Sequence, residues 1–400
     1  MLHERLFVLG LVGAALVSTG ACTSTNTAQP APDSGVVAKP LTSDFELRNG
    51  MRRLWQDHVQ WTRVYLVSAI AGLPDAPQAA ARLLQNQVDI GNAIKPFYGD
   101  AAGDRLSSLL HDHITGAVDV VSAAKAGDTA KLATAKTAWY ANADAIAAFL
   151  ASANPNWPAA DLTDMMHMHL DPTLTEATAR LKGDWAADVA AYESVSIHIA
   201  RMADALTAGV AKQFPDKVST SPLGASDQDL HRAMRRLWTD HASWTRFYLM
   251  DAIAGLPSTQ ESTSRLLRNQ SDIGDAVKPF YGAAAGDQLT ALLREHITGA
   301  AAVVSSAKSG DANALASAKA DWYANSDRIA AFLAGANPNW SEADLRAHMR
   351  AHLDETFAEA AARLHGDWAA DVASYDAVVV HLLGIADVLS DGIAKQFQVL

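Results

Sequence analysis

The chain has 400 residues, 49 % of them hydrophobic and 19 % charged, which excludes a disordered or collagen-like polypeptide. A formal charge of −12 argues against a duplex-wide phosphate contact surface, so no nucleic-acid partner is expected. The single cysteine, Cys22, excludes an internal disulfide framework, a Cys-rich zinc site and a Cys-ligated iron–sulfur cluster.

Residues 1–21 read as a secretory signal. Arg5 gives a positive start, Leu6–Val17 is an apolar run of 12, and the small residues Ser18–Ala21 precede Cys22. Such a run is too short to span a bilayer, which takes about 20 residues. Thr19-Gly20-Ala21-Cys22 resembles a bacterial lipobox, with Thr19 where Leu is usual. The expectation is an exported chain lipidated on Cys22 and held at the cell membrane or outer membrane, facing the periplasm or the exterior. Residues 22–43, rich in Thr, Pro, Ala and Ser, read as a flexible tether. No later segment reads as long and apolar enough to span a membrane.

The remainder is one unit written twice. A shift of 183 positions superposes Met51–Phe214 on Met234–Phe397 without a gap. Roughly 60 % of those positions are identical, which marks a tandem duplication. Each copy is long enough to bury about 70 % of its unfolded surface and to fold as a unit. The copies span 44–214 and 229–400, joined by a linker over 215–228.

Within a copy the apolar spacing is helical nearly throughout. Leu54, His58, Trp61 and Tyr65 form one stripe; Leu106, Leu109, Leu110, His113 and Ala117 form a second; Trp139, Ala143, Ile146 and Leu150 form a third. Breakers at Gly72 and Pro74, Pro96 and Gly99, Gly127, and Asn154-Pro155 separate them. The pattern predicts about six helices over 44–71, 76–97, 101–126, 128–152, 158–182 and 184–213, and their equivalents. Asn339 with Glu342 reads as a capping box opening the fifth helix of the second copy. The fold class is all-α: two tandem antiparallel helical bundles.

No Gly-rich phosphate loop, Gly-x-Ser-x-Gly elbow or His-Glu-x-x-His occurs, and the Ser122…Lys125 pattern lacks the partner motifs of penicillin-recognising enzymes. The histidines say more. His58, His113, His169 and His198 recur as His241, His296, His352 and His381. The first three sit on three different helices, and a bundle can bring such side chains together in its interior. Asp89, Asp144 and Asp188 recur as Asp272, Asp327 and Asp371. The expected site is one divalent transition metal per lobe, zinc, copper or iron. Its ligands would be His58, His113 and His169 with Asp89 or Asp144, and His241, His296 and His352 with Asp272 or Asp327. The competing reading is structural: a histidine on a helix stripe is commonly a core residue whose ring nitrogens find protein partners, and repeated aspartates are commonly caps or ion pairs. Met165-Met166-His167-Met168-His169 offers soft donors to copper, against a reading in which the methionines fill the core. Trp61 with Arg63, or Phe97 and Tyr98 beside Lys95, offer a pocket for an anionic or sugar-like ligand.

Four motifs, Leu54-Trp55-x-x-His58-x-x-Trp61-Thr62-Arg63, Asp89-Ile90-Gly91, Trp139-Tyr140-x-Asn142-x-Asp144 and Asn154-Pro155-Asn156-Trp157, with the closing Ala203…Phe214, resemble a family of bacterial helical proteins. Members are usually single copies without a settled function, often carrying the names glycosyltransferase or acetylglutamate kinase. The resemblance covers both lobes and implies the fold, with no catalytic residues to carry over. Nucleotide-sugar and ATP sites need strand-ended loops or Gly-rich turns, which this sequence lacks. The leading expectation is an exported, lipid-anchored binding protein. An envelope transferase, or an envelope module with a protein partner for its acidic surface, are the alternatives.

Overall fold

The computed structural model describes residues 41–400. Among them the chain forms an all-α architecture of twelve helices: α1 Asp44–Ala71, α2 Ala76–Tyr98, α3 Asp100–Ala126, α4 Thr129–Ala153, α5 Ala159–Lys182, α6 Trp185–Gln213, α7 Ala225–Ala254, α8 Thr259–Tyr281, α9 Ala283–Ser309, α10 Ala312–Ala336, α11 Glu342–His365 and α12 Trp368–Phe397. Successive helices pack side by side, and α1 closes against α6 as α7 closes against α12, giving two six-helix bundles. The predicted signal and Cys22 lie outside the described residues.

Local chemistry sets these boundaries. Ser43 caps α1 in a capping box with Glu46, each side chain meeting the other's backbone N–H. Gly72 ends α1 with φ +70, a conformation that costs an L side chain roughly 1–2 kcal/mol and glycine almost nothing. Asp128 and Asp184 cap α4 and α6. In the second lobe the predicted Asn339 cap is corrected: Ser341 caps α11 by accepting from the Asp344 N–H. Asn339 is occupied one turn earlier, its N–H donating to Asn337 Oδ1.

The Asn-Pro-Asn-Trp segments are hinges of packing. Asn154 is fully buried, takes the Asn156 N–H at 2.9 Å and donates to the Tyr98 hydroxyl at 2.9 Å. It thereby aims Trp157 at α6, where Gly209 leaves no room for a side chain: a Cβ there would lie 1.9 Å from Trp157 Nε1.

Two expectations about connections are corrected. At the end of the predicted tether, Thr42–Ser43 (β1) pair in parallel with Val218–Ser219 (β2). The linker is therefore pinned rather than free. Its Val218 is buried, Ser221 N–H donates to Asp44, and α7 begins at Ala225, three residues before the predicted linker end. Helix α12 is also long and apolar enough to cross a membrane, contrary to the sequence reading. Half of its most apolar window is buried, where the helix packs against α7, α11 and α2.

The bundles meet along α1 and α7, with α2 against α12 and α6 against α8. Trp61 and Trp244, both essentially inaccessible, lie in this seam and join the cores. The seam also holds ions. Arg63 bonds Glu176 at 2.7 Å and both oxygens of Asp188 at 3.0 and 2.8 Å, its guanidinium lying 5.0 to 5.3 Å from the rings of Tyr192, Trp244 and Phe247. Arg246 repeats this with Glu359 and Asp371. Burial pushes Glu176 and Glu359 up to about 7. Asp188 and Asp371 are thus structural counter-ions. The predicted Trp61–Arg63 pocket is corrected: both side chains are fully enclosed, and both terminal nitrogens of the guanidinium are already taken by carboxylates.

Candidate metal centre

Each imidazole of the first lobe comes from a helix whose apolar stripe turns it inward. His58 follows Trp55 on α1, His113 follows Leu109 and Leu110 on α3, and His169 precedes Leu170 on α5; all are 2 to 3 % exposed. The rings converge. His58 Nε2 lies 3.3 Å from His169 Nε2, and ring centroids are 5.3 Å (58–169), 5.9 Å (113–169) and 6.1 Å (58–113) apart. One nitrogen from each ring lies within 4.8 Å of the other two, a combination unique among His, Cys, Asp and Glu of the described residues. Metal–nitrogen bonds of 2.0–2.1 Å at tetrahedral angles put ligand nitrogens about 3.3–3.4 Å apart, so the His58–His169 separation already equals one edge of that figure.

Burial makes these rings neutral, the state a metal ligand requires. Desolvation, with repulsion from His113, pushes His58 down to about 3. Desolvation takes His113 to about 4 and His169 well below the ordinary range. The His113 tautomer is fixed by a neighbour. Asn142 donates its amide to Leu109 O, so its Oδ1 faces His113 Nδ1 at 3.1 Å and must accept from it. That leaves the His113 Nε2 lone pair free. On the other side Gln87 donates to Leu83 O at 2.7 Å and lies 3.3 Å from His58 Nδ1. Trp139 Nε1 holds the His113 carbonyl at 2.9 Å, and its ring lies against the imidazole.

The predicted aspartates do not join the rings. Asp89 is 38 % exposed at its side chain, accepts from Gln85 and lies 4.0 Å from Arg82; Asp144 is 55 % exposed and bonds His167 at 2.8 Å. Asp272 faces Arg265, and Asp327 pairs with Arg346 and Arg350. Helical geometry explains the correction. Asp89 and Asp144 each stand two residues, about 200° of rotation, beyond Gln87 and Asn142, which are the side chains facing the histidines. Sequence reasoning missed those two amides; their signal was a polar residue inside an apolar stripe, as in Leu83, Gln87, Ile90 and Ile94.

The second lobe repeats the arrangement more loosely. His241 and His352 have centroids 5.7 Å apart, His296 and His352 5.9 Å, with Gln270 and Asn325 in the supporting places. Burial likewise takes His241 to about 3 and His296 to about 4. His198 and His381 stand apart, bonding the carbonyls of Met165 and His348. The methionine cluster divides as helix geometry requires: Met166 enters the core, while Met168 and His167 face outward. Lys95 pairs with Asp104, and Tyr98 is held by Gln213 and Asn154, which removes that second pocket candidate.

No protein-family model, curated protein or solved structure matches this chain.

Proposed function

We propose that the protein is a metal-binding protein of the cell envelope, with a three-histidine centre in the interior of each lobe. The reading extends the sequence expectation of an exported chain anchored through a lipid on Cys22 and belonging to the single-copy helical family that its motifs resemble. The observation that carries it is the convergence of three buried, neutral imidazoles, one of whose tautomers is fixed by Asn142 with the ligating nitrogen left free. A ligand set of imidazoles without a carboxylate suits zinc or copper; the common non-haem iron triad adds a carboxylate, which is lacking here. The first lobe is the better formed of the two.

The test is elemental analysis of protein purified without a His tag, before and after incubation with zinc or copper. The expected result is about one bound metal per lobe, with the first-lobe equivalent lost in His169→Ala while helical circular dichroism is unchanged. Less than about half an equivalent of any transition metal under both conditions would overturn the proposal and leave the imidazoles as core residues.

A further inference from the structure

The seam between the lobes opens at one end into a small, partly open cleft of about 50 Å³, lined among others by Arg52 and Arg53 of α1 and by Arg232, Arg235, Arg236 and Asp240 of α7. In a chain of net charge −12 this concentration of guanidinium groups is local and one-sided. Arg52 grips Asp204 through Nε and Nη2, and Arg235 grips Asp387 in the same way, so each is braced from α6 or α12. Bracing of this kind holds the fork rigid and leaves Nη1 available. Arg53 leans on Asp57, and Arg232 on Asp229. Arg236 is exposed, and its charge acts on Asp240 one turn further along α7. Arg48, behind the cleft, shares Asp204 with Arg52, and its Nε is buried without a partner.

Six guanidinium groups thus rely on four carboxylates. A fifth, Asp240, is divided between Arg265, 3.5 Å away, and the positive charge of Arg236, which leaves the guanidinium groups still in excess. The strain is visible at Arg232, where desolvation and the positive charges of Arg48 and Arg52 push the guanidinium below its ordinary range. The two copies differ at this place: Asn49 in the first lobe stands where the second has Arg232. A seam that needed only to hold the lobes together would be better served by the asparagine.

We propose that this cleft is a binding site for a compact multivalent oxyanion of phosphate type, either free or carried as a lipid headgroup. The positive side chains of the cleft are all arginine, and planar guanidinium forks recognise phosphate oxygens in pairs where lysine offers only a point charge. The lining side chains include no aromatic ring, which argues against a nucleotide base as part of the ligand.

Isothermal titration of the full chain at low ionic strength with inorganic phosphate and pyrophosphate, and sedimentation with phosphatidylglycerol against phosphatidylcholine vesicles, test the proposal. Saturable binding of pyrophosphate supports a soluble ligand; selective sedimentation with phosphatidylglycerol alone supports the headgroup. In either case Arg232→Asn, which installs the residue of the other copy, and the exposed Arg236→Ala weaken binding by about tenfold or more, the worth of a hydrogen bond to a charged group. Arg294→Ala, at an exposed arginine of α9, leaves it unchanged. Absence of saturable binding in every arm, or binding equal in wild type and in Arg232→Asn and Arg236→Ala, would overturn the proposal.

Discussion

The seam offers a stability prediction that can be worked through from named atoms. Arg363 of α11 is 3 % exposed and divides its guanidinium between Asp371 at 3.0 Å and Asp75 of the other lobe at 2.7 Å. The equivalent Arg180 bonds Asp188 at 2.8 Å and reaches Ser258 at 3.1 Å and Asp251 at 3.6 Å. Position by position, the carboxylate and the hydroxyl have changed places: Ser68 and Asp75 in the first lobe stand where the second has Asp251 and Ser258. Each crossing arginine therefore finds one carboxylate across the seam, and Arg180 meets the Ser258 hydroxyl there as well. Replacing Asp75 by Ser removes the only carboxylate among the described residues that Arg363 meets across the seam. Breaking a buried pair costs about 3–5 kcal/mol, and the lower end applies because Asp371 remains. With about 2.1 cal/mol/K of unfolding entropy per residue over about 360 residues, 3 kcal/mol lowers Tm by about 4 °C. Ser68→Asp in the same chain rebuilds the arrangement of the second lobe and recovers most of the loss. Recovery falls short by about 1 kcal/mol, one hydrogen bond, because Asp251 is supported by Ser258 and Ser262 whereas Ala79 occupies the position equivalent to Ser262. Urea unfolding of the two single variants and the double variant measures the coupling directly. A coupling below about 0.5 kcal/mol would refute the reasoning, since independent sites add within that margin.

Two further outcomes follow from buried groups. The triad imidazoles have their folded-state pKa values lowered by burial, so the unfolded chain binds more protons below its own pKa of 6.5. Their contribution is neutral above that value, and stability falls as pH drops from 6.5 toward 4, by up to about 1.4 kcal/mol per unit for each ring. Metal-free protein unfolded in urea at pH 7.5, 6 and 5 reports this, and a flat profile across pH 6.5 to 4 would contradict neutral buried rings. Gly209→Ala and Gly392→Ala drive a methyl group to within 1.9 and 1.8 Å of the indole nitrogens of Trp157 and Trp340. Each is expected to cost about 1–3 kcal/mol by overpacking, read as a Tm drop with altered tryptophan fluorescence, and unchanged values would mean the tryptophans relax without cost.

The fold was legible because its signals are local. Stripes such as Leu106, Leu109, Leu110 and His113, with breakers at Gly72 and Gly127, locate every helix of the first lobe within one residue at each end. The histidines were legible for the same reason, each occupying an inward position of its own stripe. The carboxylates were not. Repetition in both copies drew attention to Asp89 and Asp144, but repetition does not report rotation about a helix axis, and about 200° separates them from the amides that support the rings. The seam was hidden for a different reason. Arg63, Glu176 and Asp188 lie 113 and 125 residues apart in sequence, and no period connects residues whose meeting depends on how six helices close.

Covalent duplication explains how the seam can be asymmetric. In a pair of identical chains related by a two-fold axis, any substitution appears on both sides at once, so an acid moved from one place to another moves twice. Once the copies share a chain, Asp75 and Asp251 can occupy inequivalent places while each still faces an arginine, and Arg232 can enter the cleft without a second arginine replacing Asn49. The same freedom extends to the interiors, where His58 and His169 stand 5.3 Å apart between ring centres and His241 and His352 stand 5.7 Å apart. If both triads bind metal, the wider set must close by a few tenths of an ångström against a packed core, which resists such shifts. The first lobe should therefore fill first in a titration. Equal filling, followed by the separate loss of one equivalent in His169→Ala and in His352→Ala, would show that the difference in spacing has no energetic consequence.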